Sequence, residues 1–236
     1  MFPIGDDNSA RRSMPVVTVV LIALNILFFF VELNGGDAFI RQWAFIPARF
    51  GQDPAGNVPT IFSAMFMHGG WLHLGGNMLY LWIFGDNVED DFGPVKFIIF
   101  YLACGVAATF AQYFVVPNSR IPNVGASGAI AGVLGAYLVM FPHARVRVLV
   151  YNQIVALPAL MVLGFWIVLQ VFSGVGSIAQ TAQTEETGGV AYMAHVGGFV
   201  AGIVLAFLLR GNNRQQVGGA GNFRRSACRS DRSPAI

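Results

Sequence analysis

The stretch NVGASGAIAGVLGAYLVMF, residues 123–141, is the most informative part of the sequence because it is apolar, has a helical composition and is rich in small residues. Its helical part runs from Ser127 to the residue before Pro142. That is about 15 residues, or roughly 22 Å of helix at 1.5 Å per residue. The hydrocarbon core of a bilayer is about 30 Å thick. We therefore predict a short membrane span whose first residue, Ser127, lies below the outer surface.

The residues before this span support a recessed site. Residues 117–125 contain two prolines and several turn-forming residues, so they are expected to be irregular backbone at membrane level. Such backbone is tolerated there only inside protein or beside a water-filled cavity. The sequence therefore predicts a hydrated cavity with Ser127 at its floor.

The composition places this span in a larger membrane bundle. Of the 236 residues, 55% are apolar and only 11% are charged, against about 25% charged in ordinary soluble domains. A formal charge of +2 gives no reason to expect a nucleic-acid partner, and two cysteines are too few for a disulfide scaffold. The class that remains is a polytopic membrane protein.

Six spans can be counted, which predicts an all-α bundle of six transmembrane helices within residues 15–210. Residues 1–14 are expected to be a polar cytoplasmic lead, and the Arg- and Gly-rich residues 211–236 a disordered cytoplasmic tail. Only Arg41, Arg49 and Arg120 fall on the side opposite the termini, which leaves 11 of the 14 Lys and Arg residues on the terminal side. By the positive-inside rule both termini are cytoplasmic. The predicted spans are 15–31, 72–84, 97–116, 127–141, 154–172 and 194–209.

Polar residues mark the start of each even-numbered span. His73, Ser127 and His195 begin the second, fourth and sixth spans, and ionisable residues in spans are costly and usually functional. With the N-terminus inside, every even-numbered span starts on the outer side. The three residues are therefore expected to lie at a similar depth near the outer face.

These residues permit acyl-transfer chemistry. A serine hydroxyl is a weak nucleophile until a base takes its proton, and His195 is the candidate base for Ser127. Neither the fourth nor the sixth span contains Asp or Glu, so a Ser-His dyad is expected, without metal or cofactor. His73 and Asn77 are four residues apart on one helix face and could stabilise an oxyanion with the Ser127 N–H. Asn77 could instead bond between helices.

Glycines are expected to bring the helices together. Gly125 and Gly128 flank Ser127, while Gly198 and Gly202 form a GxxxG spacing after His195. Such small faces let two helices approach closely, although they are also an ordinary packing motif of membrane proteins. Outside these faces, His68 is expected to hold the Gly-Gly turn before the second span.

The motifs HGGWLHLGGN (68–77), GASG (125–128) and AHVGGFVAG (194–202), in this order, resemble the rhomboid intramembrane serine proteases. The resemblance implies Ser127 as nucleophile, His195 as base, and His73, Asn77 and the Ser127 N–H as oxyanion stabilisers. It also implies transmembrane protein substrates, cut in or near the outer part of a membrane, with lipids as surroundings. A bacterial inner membrane fits the compact six-span form.

One departure from the family pattern concerns the base. Some members carry an aromatic residue one turn after the nucleophile, where it stacks on the catalytic histidine. That position is Ala131 here, so His195 is expected to be oriented by packing alone. Two alternatives stay open: a catalytically inactive rhomboid-like protein that binds transmembrane clients, and a small transporter.

Overall fold

The structure, a computed structural model, describes residues 2–8, 11–181 and 191–210, without the side chains of 177–181. Helices make up most of it. The helices are α1 Val16–Trp43, α2 Pro47–Gln52, α3 Pro54–Ser63, α4 Trp71–Phe92, α5 Pro94–Val115, α6 Ser127–Met140, α7 Ala159–Thr181 and α8 Tyr192–Leu209, with a 3₁₀ turn at Ala64–Phe66. The strands are β1 Phe2–Gly5, β2 Arg145–Val150 and β3 Gln153–Pro158.

Within the described residues, four helices, α1, α5, α7 and α8, are long and apolar enough to cross a membrane. The helix α6 is apolar but has only 14 residues, and α4 ends in a cluster of acidic residues. The predicted helical, polytopic membrane fold is therefore confirmed. The predicted number of six spans rests on α4 and α6, which do not meet the same length and composition criteria.

The short helix α6 lies at the centre of the bundle. Of its 14 residues, 11 are buried, and it packs against α4, α5 and α8. Gly198 and Gly202 of α8 face the backbone of Gly128 and Gly132. A Cβ atom on Gly202 would lie 2.6 Å from the Cα of Gly132. Only glycine allows this approach, which fixes the distance between α6 and α8.

The irregular segment before α6 is held by the residues between α1 and α4. Phe45 and Asn123 exchange backbone hydrogen bonds of 3.2 and 2.8 Å, and the Gly125 N–H donates to the Ala64 carbonyl at 2.9 Å. Because these groups are satisfied within the protein, the segment needs no regular secondary structure at this depth.

Three span boundaries differ clearly from the sequence prediction. The first helix continues to Trp43 instead of ending at 31. The predicted fifth span, 154–172, is wrong at its start, because residues 153–158 form β3 and the helix begins at Ala159. The second span continues to Phe92 instead of ending at 84. Its acidic end is used within the fold: the Glu89 carboxylate accepts the N–H groups of Val17 and Thr18, each at 2.8 Å, and so caps α1.

The three strands form an antiparallel sheet in the order β1-β2-β3, an element that the all-α prediction did not include. The expected polar lead, residues 1–14, contributes β1 to this sheet and then a buried carboxylate. Asp6 accepts hydrogen bonds from the Tyr137 hydroxyl at 2.8 Å and from the Asn87 amide at 2.7 Å. The N-terminal segment thus bonds directly to the far end of α6. The predicted disordered tail, 211–236, lies outside the described residues.

Candidate active site

Ser127 and His195 meet at the starts of α6 and α8. Ser127 is the first residue of α6 and His195 the fourth of α8, and the Ser127 Oγ lies 2.8 Å from the His195 Nε2. His195 is only 8% exposed. A serine hydroxyl within hydrogen-bond distance of a buried imidazole is the arrangement that a base-activated nucleophile requires.

The backbone at Gly125 leaves a small space beside this pair. Gly125 has a φ of +133°, a backbone conformation that residues other than glycine rarely adopt. A Cβ atom placed there would lie 2.8 Å from the His73 Nε2 and 3.4 Å from the Ser127 Oγ. The His73 Nε2 and the Ser127 Oγ therefore border the same gap, which the absence of a side chain at Gly125 keeps open.

The tautomer of His73 follows from its other ring nitrogen. The His73 Nδ1 accepts a hydrogen bond from the Gly69 N–H at 3.3 Å. A neutral imidazole has one N–H, so the proton lies on Nε2. His73 therefore presents a donor to the gap beside Ser127.

Asn77 and His68 occupy the same part of α4 and its preceding turn. Asn77 is buried, and its Nδ2 has no hydrogen-bond partner among the described residues, so this amide has a free donor. The backbone N–H of His68 donates to the Glu32 carboxylate at 2.9 Å, and its ring packs edge-on against His73 with centroids 5.2 Å apart. His68 thus joins α1 to the turn before α4.

A cavity of about 40 Å³ lies on the α5 side of Ser127. Its polar lining includes Thr109, Gln112 and Asn123. A buried water needs about 10–15 Å³ of such volume and two to four polar partners, so this space is large and polar enough for water.

The orientation of His195 has a cause that the sequence analysis missed. The His195 Nδ1 lies 2.7 Å from the Gln170 Oε1, and the Trp166 ring packs against the imidazole with centroids 5.8 Å apart. Both residues belong to α7, so the expectation of orientation by packing alone is wrong. An isolated glutamine in the apolar stretch FWIVLQVF, residues 165–172, was the available signal, because polar residues in spans are usually functional.

The fold and this site together define a class: a polytopic helical membrane protein in which the first turns of two neighbouring helices bring a serine and a histidine together. The Rhomboid domain family matches residues 55–212, which include α4 to α8 and every candidate site residue named above. The match covers more than half of the chain. The chain therefore belongs to the rhomboid family.

Individual relatives agree with this assignment. The chain is 36% identical over 130 residues to the rhomboid protease GluP of Bacillus subtilis, covering 54% of this chain and 25% of that protein. It is 30% identical over 156 residues to the mitochondrial rhomboid protein 1 of Saccharomyces cerevisiae, covering 64% and 41%. The putative rhomboid protease YdcA of Bacillus subtilis is 26% identical over 198 residues, covering 84% and 89%. The first two relatives are thus much longer than the segment they share with this chain.

Proposed function

We propose that this chain is an intramembrane serine endopeptidase that cleaves transmembrane proteins with Ser127 and His195. The observation that carries the proposal is the 2.8 Å contact between the Ser127 Oγ and the His195 Nε2. Membership of the rhomboid family and relatives named as proteases support the same reaction.

In the proposed reaction, the Ser127 Oγ attacks the scissile carbonyl carbon while its proton moves to the His195 Nε2. The imidazolium then protonates the leaving amine as the C–N bond breaks, which leaves an acyl-enzyme. His195 next takes a proton from water, whose oxygen attacks the acyl carbon and releases a carboxylic acid and free Ser127. The nearby cavity lined by Thr109 and Gln112 is a suitable source of that water.

The negative oxygen of the tetrahedral intermediate needs donors that are in place beforehand. The proposed donors are the His73 Nε2–H, the Asn77 amide and the Ser127 backbone N–H. The last lies at the start of α6, where backbone N–H groups have no helical partner and the helix dipole is positive.

The substrate class follows from where the site lies. Ser127 begins a short helix inside an apolar bundle, so a substrate must itself enter the membrane region. A transmembrane helix hides its carbonyl groups in its own hydrogen bonds. Gly, Pro and other weak helix formers near the outer end of the substrate span would therefore favour cleavage.

The proposed orientation in the membrane is a separate point. The distribution of Lys and Arg supports cytoplasmic termini, as in a bacterial inner membrane.

The test uses the full chain in detergent and in liposomes with a fluorescently labelled transmembrane substrate. We expect cleavage by the wild type, loss of cleavage in Ser127→Ala and His195→Ala, and normal cleavage in His143→Ala, a loop histidine far from the site. A fluorophosphonate probe should label Ser127. Equal cleavage by the wild type and Ser127→Ala would refute the proposal. A wild type that neither cleaves nor reacts with the probe would favour an inactive protein that binds transmembrane clients.

A further inference from the structure

Each ring nitrogen of His195 has one partner, and the two partners come from different helices. The Nε2 contacts the Ser127 Oγ of α6 at 2.8 Å, and the Nδ1 contacts the Gln170 Oε1 of α7 at 2.7 Å. The imidazole therefore bridges α6 and α7 through two short hydrogen bonds.

We infer that Gln170 is a positioning residue that keeps His195 in the tautomer required of the base, an inference that rests on the proposed function. An amide oxygen can only accept hydrogen bonds, so the His195 Nδ1 must be the donor. A neutral imidazole has one N–H, which leaves the Nε2 with a free lone pair facing Ser127. The opposite tautomer would direct an N–H at the hydroxyl and could not take its proton.

Trp166 lies one helical turn before Gln170 and fixes the plane of the imidazole. Its ring is tilted by 36° to that of His195, with centroids 5.8 Å apart. Tyr192 approaches the imidazole edge-on, at 87° and 6.5 Å. Some members of the family have an aromatic residue on the helix of the nucleophile for this contact, where this chain has Ala131; here Trp166 of α7 supplies it.

The hydrogen bond from His195 to Gln170 is not easily replaced by water. His195 is only 8% exposed, so a lost acceptor leaves a buried N–H unsatisfied, which is costly. The helix α7 packs mainly against α8, while Phe165, Val168 and Leu169 on its other side are exposed. Because Gln170 and Trp166 both belong to α7, His195 is fully oriented only while α7 lies against α8.

The test compares Gln170→Met, which keeps the shape but removes the acceptor, with Gln170→Glu, which keeps the acceptor. Leu169→Met is the matched control on the exposed side of the same helix. The readouts are kcat and KM for a transmembrane substrate, the rate at which a fluorophosphonate labels Ser127, and thermal unfolding in detergent. Ser127→Ala is measured alongside them.

We expect Gln170→Met to lower kcat and the labelling rate by about fivefold to tenfold, in line with the loss of one buried hydrogen bond, with KM nearly unchanged. Gln170→Glu should restore most of kcat, and Leu169→Met should match the wild type. Equal kcat in Gln170→Met and the wild type, or equal losses in Gln170→Met and Gln170→Glu, would overturn the inference. Cleavage that depends on Ser127 but not on Gln170 refutes this inference alone. Cleavage that survives Ser127→Ala refutes the proposed function as well.

Discussion

The close contact between α6 and α8 predicts that a single methyl group at Gly198 disables the site. A Cβ atom there would lie 3.0 Å from the carbonyl carbon of Gly128 and nearer still to its oxygen. Carbon atoms pack best at about 3.5–4.0 Å, so Gly198→Ala must push the two helices apart by at least about 0.5–1 Å, and the nearer oxygen demands no less. Neither atom belongs to a flexible side chain that could move aside.

This displacement acts directly on the reacting pair. Gly198 follows His195 by three residues, and Gly128 is next to Ser127. If the helices separate by that amount, the 2.8 Å contact between the Ser127 Oγ and the His195 Nε2 grows to about 3.3–3.8 Å, at or beyond the limit of a hydrogen bond. A misplacement of about 1 Å can cost about 100-fold in rate. We expect kcat to fall about 10- to 100-fold, with a destabilisation of about 1–3 kcal/mol from overpacking.

The assay is cleavage of the labelled transmembrane substrate, together with thermal unfolding in detergent. Gly75→Ala is the matched control: Gly75 lies in α4 with no atom within 4 Å of its Cβ position, so its activity should equal that of the wild type. A Gly198→Ala variant within twofold of wild-type kcat would show that the glycine contact does not set the spacing of the pair, and would refute the reasoning.

Three further predictions follow from the site and from the N-terminal segment. Replacing His73 or Asn77 by Ala removes one oxyanion donor. This should lower kcat by about 100- to 1000-fold even though the nucleophile Ser127 is unchanged. Burial raises the pKa of Asp6 to about 6 from its usual 3.8; the folded state then favours the protonated form, so the stability from this group falls as pH rises from about 4 to 6. A serine-histidine mechanism needs no metal, so adding a chelator should leave the cleavage rate unchanged.

Each of these predictions has its own check. Substrate kinetics on His73→Ala and Asn77→Ala that match the wild type would remove them from the oxyanion site. For Asp6, thermal unfolding is followed from pH 4 to 7; Asp6→Asn should flatten the pH dependence, and the exposed Asp37→Asn should not. An identical pH dependence in Asp6→Asn and the wild type would contradict the assignment. A loss of activity with chelator that added metal restores would contradict the metal-free mechanism.

The placement of the polar residues could be predicted because it depends on topology alone. His73, Ser127 and His195 begin alternate spans, so counting spans puts them at one end of the bundle, where the structure brings them together. Their depth below the outer surface stays a prediction, which rests on the shortness of α6. No knowledge of side-chain packing is needed for this step.

The partner of His195 depends on three-dimensional packing and was missed for that reason. Gln170 reaches the imidazole only because α7 packs on α8 with one particular face. The sequence of an apolar helix has no hydrophobic periodicity that would predict which face that is. The strands were missed for a different reason: RVRV, residues 145–148, alternates charged and apolar residues, yet it lies between the predicted spans 127–141 and 154–172, where a short loop is the usual expectation. The predicted second span ends at 84, which leaves the acidic end of α4 in a loop. The helix continues because Glu89 has partners, the first N–H groups of α1, that lie more than 70 positions away in the sequence.

The hairpin of β2 and β3 joins the helix that bears the nucleophile to the helix that orients the base. It lies at the end of α6 opposite Ser127, about 20 Å away along that helix. A molecule that binds the hairpin is therefore expected to alter the alignment of Ser127 and His195 without occupying the space beside them. Binding at this far end is therefore a route to non-competitive inhibition of the proposed peptidase.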